Sequence, residues 1–258
     1  MHEVHGKMKT QMLRLLLCII LVVGLTTLVF ATEPTGSNSI EQITSSQRTN
    51  FNDTAKTTIA QSGNLSQLEI NITKQSNFWQ GYYGNVSGTI TLDDGNNLAM
   101  YSWGGVADVS GNIYATEAAS VAWTSLLCAN LNPTMQTFNC TGQNEDCLNL
   151  TDMYTKYGMN STDKDGIDKT FTGLNNIKVD TLSLTSCPAT NMYQNSSAQS
   201  TRWNETILTV NNTETLIYAA QTENNIYGFN NKTWDFQMLV GVNKAVGTTT
   251  YYFYVELY

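Results

Sequence analysis

The side chains in this chain most open to chemistry are amides that accept a sugar. Eleven asparagines begin an Asn-x-Ser or Asn-x-Thr triplet with no proline between: Asn52, Asn64, Asn71, Asn85, Asn139, Asn149, Asn160, Asn195, Asn204, Asn211 and Asn231. The triplet is the acceptor for N-linked glycan, a bulky hydrophilic addition that belongs on the surface of exported proteins. A chain this rich in Asn, Ser and Thr would carry roughly six such triplets by accident, so the excess points to a surface built to hold sugar. A second chemistry lies in the cysteines. Cys128, Cys140, Cys147 and Cys187 form an even set beyond the first apolar run, and in an exported chain that reads as two disulfides. Three pairings exist, of which a local Cys140–Cys147 closure with a long Cys128–Cys187 bridge is preferred. The rival, one zinc ion held by all four thiolates, lacks any C-x-x-C pair.

Other candidates carry less. Asp163, Asp165 and Asp168 surround Gly166, and hard oxygens at such spacing, with a glycine for the turn, suit Ca²⁺. The full calcium-loop pattern fails, since its first position falls on Ser161 and its closing position on Thr172, so a solvated acidic turn is the competing reading. Trp79, Tyr82 and Tyr83 could stack on a sugar, although aromatic rings more often serve burial. Both histidines, His2 and His5, precede the apolar run. A chain processed beyond that run therefore lacks Ser-His-Asp and Cys-His catalysis and every histidine-ligated metal. A glycosidase-like pair of carboxylates is not marked by any motif. The expectation is a chain without catalytic residues or a cofactor, calcium being the weak exception.

Lys7, Lys9 and Arg14 precede an apolar run from Leu15 to Phe30, which ends in Val29-Phe30-Ala31. Basic head, apolar core and small-residue exit describe a signal peptide cut after Ala31. The run falls short of the roughly 20 residues that a membrane-spanning helix needs; membrane contact would come only from this segment, if retained. Without residues 1–31 the chain keeps 10 basic and 20 acidic residues, a formal charge of −10. Such a surface repels phosphate backbones, so nucleic acid is not an expected partner.

These groups need elements to hold them. Residues 32–63 are polar and read as a flexible arm. From there to residue 258 the pattern is strand-like. Leu68, Ile70 and Ile72 alternate with polar residues, as do Val86, Gly88, Ile90 and Leu92, followed by a turn at Asp93–Asn96. Met100–Trp103, Val106–Val109, Ile113–Ala115, Val121–Ser125, Ile177–Ser186, Thr206–Val210, Leu216–Ala220 and Phe236–Val240 read as further strands, and Thr249–Tyr258 as an aromatic one that needs a partner along its edge. Residues 130–172 break the pattern and read as a loop insertion pinned by disulfide, with a short helix at 145–157. No strand–helix alternation occurs, so the expected fold is all-β: an antiparallel β-sandwich, Ig-like or jelly-roll-like, over residues 64–258.

Several stretches resemble a family of exported archaeal surface proteins of uncharacterised function. They are the opening Trp79-Gln80-Gly81-Tyr82-Tyr83-Gly84-Asn85-Val86-Ser87-Gly88, the central Met100-Tyr101-Ser102-Trp103, Gly111–Thr116 and Val121-Ala122-Trp123, and the later Gly228-Phe229-Asn230, Thr233–Val240 and Thr250–Leu257. The resemblance spans about residues 77–258 and implies a secreted, β-rich, glycosylated envelope protein. It transfers no catalytic residue. Structural or adhesive duty at the cell surface is the expected function, with envelope proteins, copies of the same chain or glycans as partners. A filament subunit exchanging its N-terminal arm and a carbohydrate-binding module are the alternatives.

Overall fold

The computed structural model describes residues 33–46, 57–70, 76–96, 98–105, 110–131, 148–195, 198–211 and 213–257. The expected signal segment and the expected Val106–Val109 strand lie outside the described residues. The architecture is mostly β and antiparallel. Its eight-strand main sheet contains β1 (Thr35–Gly36), β5 (Gly111–Thr116), β6 (Leu126–Cys128), β7 (Gly173–Val179), β8 (Leu182–Gln194), β9 (Ala198–Val210), β10 (Leu216–Gln221) and β14 (Tyr252–Leu257). Strands β7 to β10 follow one another as a meander, then β5, β14 and β1 extend the sheet in that order. Three small sheets pair β2 (Trp79–Gly84) with β13 (Phe236–Gly241), β3 (Thr89–Asp93) with β4 (Ala99–Gly105), and β11 (Ile226–Tyr227) with β12 (Thr233–Trp234).

Strands β5 and β10 are buried along nearly their whole length because both faces are covered. All six residues of β5 are buried, as are Leu216–Ala220 of β10, and alternation sends their side chains to two separate cores. On one face Ile113, Ala115, Ile207, Tyr218 and Ala220 pack under Met238 and Val240 of β13 and under two short helices, α1 (Leu150–Tyr157) and α2 (Ile167–Thr170). On the other face Tyr114, Leu208, Val210, Ile217 and Ala219 meet Trp123, Leu126, Ile177, Val179 and Cys187. The last three come from the β7–β8 hairpin, so the sheet curls back over its own second face.

Three features produce that curl. β8 pairs with β9 only as far as the Ala189–Thr206 register, after which β6 takes over the same edge at Leu208–Val210. A bulge between Asn175 and Ile177 and a left-handed Ser186 (φ 58°) bend the departing hairpin, and Asn176 Oδ1 accepts the Ser186 N–H at 2.9 Å. The hairpin tip then docks on the opposite end of the sheet. Glu256 of β14, 1% exposed, accepts from Asp180 N and from the Tyr114 hydroxyl, and Asn112 Nδ2 donates to the Lys178 carbonyl at 3.0 Å.

Several expected strands need correction. Of the expected alternation at Leu68, Ile70 and Ile72, Leu68 and Ile70 are exposed by 58% and 83% and belong to no strand, with no neighbouring edge to pair with, and Ile72 lies outside the described residues. Ile177–Ser186 is two strands with a turn at Asp180-Thr181, because Asp180 adopts φ 50°. Val121–Ser125 includes one turn of 3-10 helix at Trp123–Ser125. The arm is also less free than its composition implied: Thr35 and Gly36 pair with Val255 and Tyr254, and Ser37 N donates to the Phe253 carbonyl at 3.2 Å.

Cys128 and Cys187 form a disulfide with 4.8 Å between Cα atoms, joining β6 to β8 where β8 leaves β9. This is the long bridge preferred from the sequence; Cys140 and Cys147 lie outside the described residues. The bridge closes a loop of sequence separation 59, for which chain entropy predicts about 4 kcal/mol. Replacing both Cys128 and Cys187 by alanine is therefore expected to lower the urea midpoint strongly while leaving the β-type circular dichroism intact. A loss below about 1 kcal/mol would show that the Glu256 contacts hold the hairpin without it.

Candidate recognition surface

The three aromatic residues singled out from the opening motif do not form one platform. β2 twists across the first core, and each ring meets different neighbours. Trp79 packs against Phe171 and Tyr218 at centroid distances of 5.8 and 6.4 Å, and its Nε1 donates to the Asp165 carbonyl at 2.6 Å. Tyr82 packs edge-on to Phe253 at 5.4 Å, and partial burial raises its hydroxyl pKa. Tyr83 points elsewhere: it meets Phe229 at 5.0 Å and Trp234 at 4.9 Å. Tyr83 and Phe229 remain 40% and 41% exposed, so this trio is an aromatic surface open to solvent. Phe229 and Trp234 were not singled out as site residues from the sequence.

The segment that presents Phe229 is heavily pinned. Gly228 N donates to the Lys232 carbonyl at 2.8 Å, Asn231 N to the Gly228 carbonyl at 3.3 Å, and Phe229 N to Gln237 Oε1 at 3.0 Å. Trp234 Nε1 donates to Asn230 Oδ1 at 2.9 Å, so the indole's polar end is engaged within the loop. Gly228 has no room for a side chain: a Cβ there would lie 2.8 Å from the Trp234 ring and 3.0 Å from Gln237 Oε1. The β8–β9 turn joins in through Asn195 N, which donates to the Gly228 carbonyl at 3.0 Å. Side chains fixed this way lose little entropy on contacting a ligand.

Eight of the sequon asparagines fall within the described residues. Asn64, Asn85, Asn149, Asn160, Asn195 and Asn231 are exposed, whereas Asn204 and Asn211 are half-buried. Asn204 Nδ2 already donates to Asn191 Oδ1 at 2.9 Å, and Asn211 Oδ1 is buried without a partner. Asn149 is the N-cap of α1: its Oδ1 accepts from Thr151 N and Asp152 N, and Asp152 returns the contact to Asn149 N. Asn52, Asn71 and Asn139 lie outside the described residues.

The three aspartates proposed for calcium each have another partner. Asp163 Oδ2 accepts from Asn160 N at 2.7 Å, and Asp165 Oδ2 from Ser76 Oγ at 2.6 Å. Asp168 accepts from the Tyr154 hydroxyl and pairs with Lys169 at 2.8 Å. Burial pushes the Asp168 pKa up, but hydrogen bonds from Lys169 and Tyr154 outweigh it and leave it lowered. Among the described residues no group of three His, Cys, Asp or Glu side chains is placed to hold a metal.

Among the described residues, Glu205 on β9 is a buried carboxyl whose pKa is strongly raised. It is fully buried beneath β13; Oε2 accepts from Leu239 N at 2.9 Å and Oε1 has no partner. Desolvation raises its pKa well above the ordinary value, against the smaller lowering from the Leu239 bond. Perturbed carboxyls often mark active sites, yet this one has no solvent exposure, so a substrate has no route to it in this conformation. Near it is the phenol of Tyr218, which clusters with those of Tyr157 and Tyr251, all three raised by burial, around Gly241, where a Cβ would sit 2.7 Å from both Tyr157 and Tyr218. A separate cleft of about 150 Å³ lies between β7 and the ends of β5 and β10, lined by amides including Asn112, Asn175, Asn176, Asn204 and Gln221.

Compared with protein-family models, with curated proteins and with solved structures, the chain finds no match in any of the three.

The Glu205 geometry has a sign that can be measured. The folded protein holds this proton more tightly than the unfolded chain. Its favourable contribution is full below the ordinary carboxyl value of 4.5 and is lost as pH rises from there toward the folded value. Glu205→Gln, which keeps an oxygen for Leu239 N but cannot ionise, is expected to gain stability relative to the unsubstituted protein between pH 5 and pH 8 in urea unfolding. An equal difference at both pH values would show that Glu205 is already ionised in the fold.

Proposed function

We propose that this chain is a non-catalytic, N-glycosylated protein of the cell exterior, a disulfide-stapled β-sandwich with structural or adhesive duty. The observation that carries the reading is the placement of the sequons: six of the eight described sequon asparagines are exposed, Asn64 just beyond the arm, Asn149 at a helix start and the rest in turns and loops of the folded body. The sandwich description rests on the β2–β13 pair packing over one face of the main sheet and the β7–β8 hairpin over the other. The Cys128–Cys187 bridge is consistent with an oxidising compartment. The resemblance to exported archaeal surface proteins fits the same setting and makes other envelope proteins, copies of this chain or glycans the natural partners. Intact mass of the exported protein, before and after deglycosylation and reduction, tests it. The expected result is a mass that falls by several glycans, with the leader absent. Unmodified protein recovered inside cells with its leader intact would overturn the reading.

A second reading, a filament subunit joined by strand exchange, has an observation of its own. The arm already supplies a strand, β1, to the exposed edge of β14, and residues 38–46 and 57–70 beyond it are mostly exposed and contain no strand. A neighbour's arm could take the same register. Under this reading, electron microscopy of the purified protein shows fibres, and deleting residues 33–37 abolishes them while leaving the monomer folded. Single particles in both samples exclude it. A carbohydrate-binding role would rest on Tyr83, Phe229 and Trp234, since Trp79 is packed against Phe171 and Tyr218.

A further inference from the structure

We propose that glycans attached at Asn85, Asn195 and Asn231 fold back onto the exposed rings of Tyr83, Tyr193 and Phe229, so that the protein's own sugar covers this aromatic surface. The inference rests on the glycoprotein reading above and adds where three of the glycans lie and what they contact.

The sequence spacing is the first observation. Tyr83-Gly84-Asn85, Tyr193-Gln194-Asn195 and Phe229-Asn230-Asn231 each place an aromatic residue two positions before a sequon asparagine, and none of the other eight sequons has one there. With 10% aromatic residues, eleven sequons would give about one such coincidence. The second observation is exposure. Tyr83, Tyr193 and Phe229 are 40%, 51% and 41% exposed, and all three asparagines are exposed. The third is convergence. Three segments separated in sequence meet: Asn195 N donates to the Gly228 carbonyl, Gln237 bridges the Tyr193 carbonyl and Phe229 N, and the Tyr83 ring lies 5.0 Å from Phe229.

The contact has a clear physical basis. Tyr83 lies near the end of β2, where residues two apart in extended chain are about 6–7 Å apart; at Asn195 and Asn231 the chain turns instead and brings residues two apart closer together. An asparagine side chain and one pyranose ring can bridge either span. A pyranose presents a face of C–H groups, and amphipathic rings such as Tyr take an apolar contact on one side while keeping a polar tip in water. Attachment at the neighbouring asparagine makes the contact intramolecular, so a weak stacking energy suffices. Asn195 and Asn231 have φ of 55° and 58°, turn conformations that asparagine tolerates better than most residues. The hydrogen bonds around Gly228 and Gln237 hold the rings in place beforehand.

The test uses the full-length protein exported from a glycosylating host, with glycopeptide mass spectrometry for occupancy. The combined Tyr83→Ser, Tyr193→Ser and Phe229→Ser variant is compared with the unsubstituted protein in glycosylated and enzymatically deglycosylated forms. The expected result is sugar at Asn85, Asn195 and Asn231, a fall of several degrees in the unfolding midpoint of the glycosylated form, and a much smaller fall once sugar is removed. Deglycosylation alone should increase the binding of a hydrophobic dye, and the aromatic variant should not show that increase. Equal shifts in both forms, absence of sugar at the three sites, or a dimer of the glycosylated protein that the serine substitutions dissolve would overturn the inference. Sugar at Asn64, Asn149 or Asn160 without the coupling sinks this inference alone; a chain with no sugar at any sequon sinks the glycoprotein reading with it.

Discussion

A single buried carboxylate closes this fold. The main sheet would otherwise be a ribbon with two distant ends, β1–β14 at one and β7–β8 at the other. Glu256 lies on the next-to-last strand of that order, and it accepts both the backbone N–H of Asp180 at the tip of the β7–β8 hairpin and the Tyr114 hydroxyl from the middle of the sheet. With 1% of its surface exposed, its oxygens would be left buried and unpaired without these donors, which is costly. The hairpin therefore has one seat. Occupying it places Ile177 and Val179 over Tyr114, Ile217 and Ala219 and completes the second core.

The disulfide acts on the same hairpin from its other end. Cys187 sits just beyond the bend at Ser186, where β8 parts from β9, and its bond to Cys128 ties that departure point to β6. With tip and base both fixed, the hairpin can be strongly bent without opening a gap over the second core. Among the described residues no covalent bond ties the first core. It depends on β13 and the helices meeting the sheet closely, which is why Gly241 must lack a side chain beside Tyr157 and Tyr218.

Much of the fold was legible because burial on both faces leaves a plain record: Ile113–Ala115 and Leu216–Ala220 are unbroken apolar runs, and the alternation read from residue 249 contains the strand Tyr252–Leu257, with β5 on one side and β1 on the other. The short helix expected at 145–157 appears at Leu150–Tyr157, and Met153 joins Leu150 and Tyr157 on its buried side. The errors have a common cause. Leu68 and Ile70 show the right period, but period says nothing about whether an edge waits to receive the strand. Trp79, Tyr82 and Tyr83 are close together in the chain, yet strand twist and the placement of Phe171, Phe253 and Phe229 assign each ring a different contact. The aromatic surface itself draws on segments roughly 150 residues apart, a meeting that local pattern does not encode. The aromatic residues before Asn85, Asn195 and Asn231 were visible in the sequence; only their exposure and common location were not.

Asn149 shows how a covalent addition and a structural duty can share one small group. The oxygen of its amide closes the first turn of α1, and no hydrogen bond of the nitrogen to a described residue enters that cap. A saccharide joined through the nitrogen would leave the oxygen's lone pairs in place, so the transferase could act on finished protein without unwinding the helix. Asn204 is the opposite case: its nitrogen is tied to Asn191 inside the sheet, and modification there would have to come before the strands close.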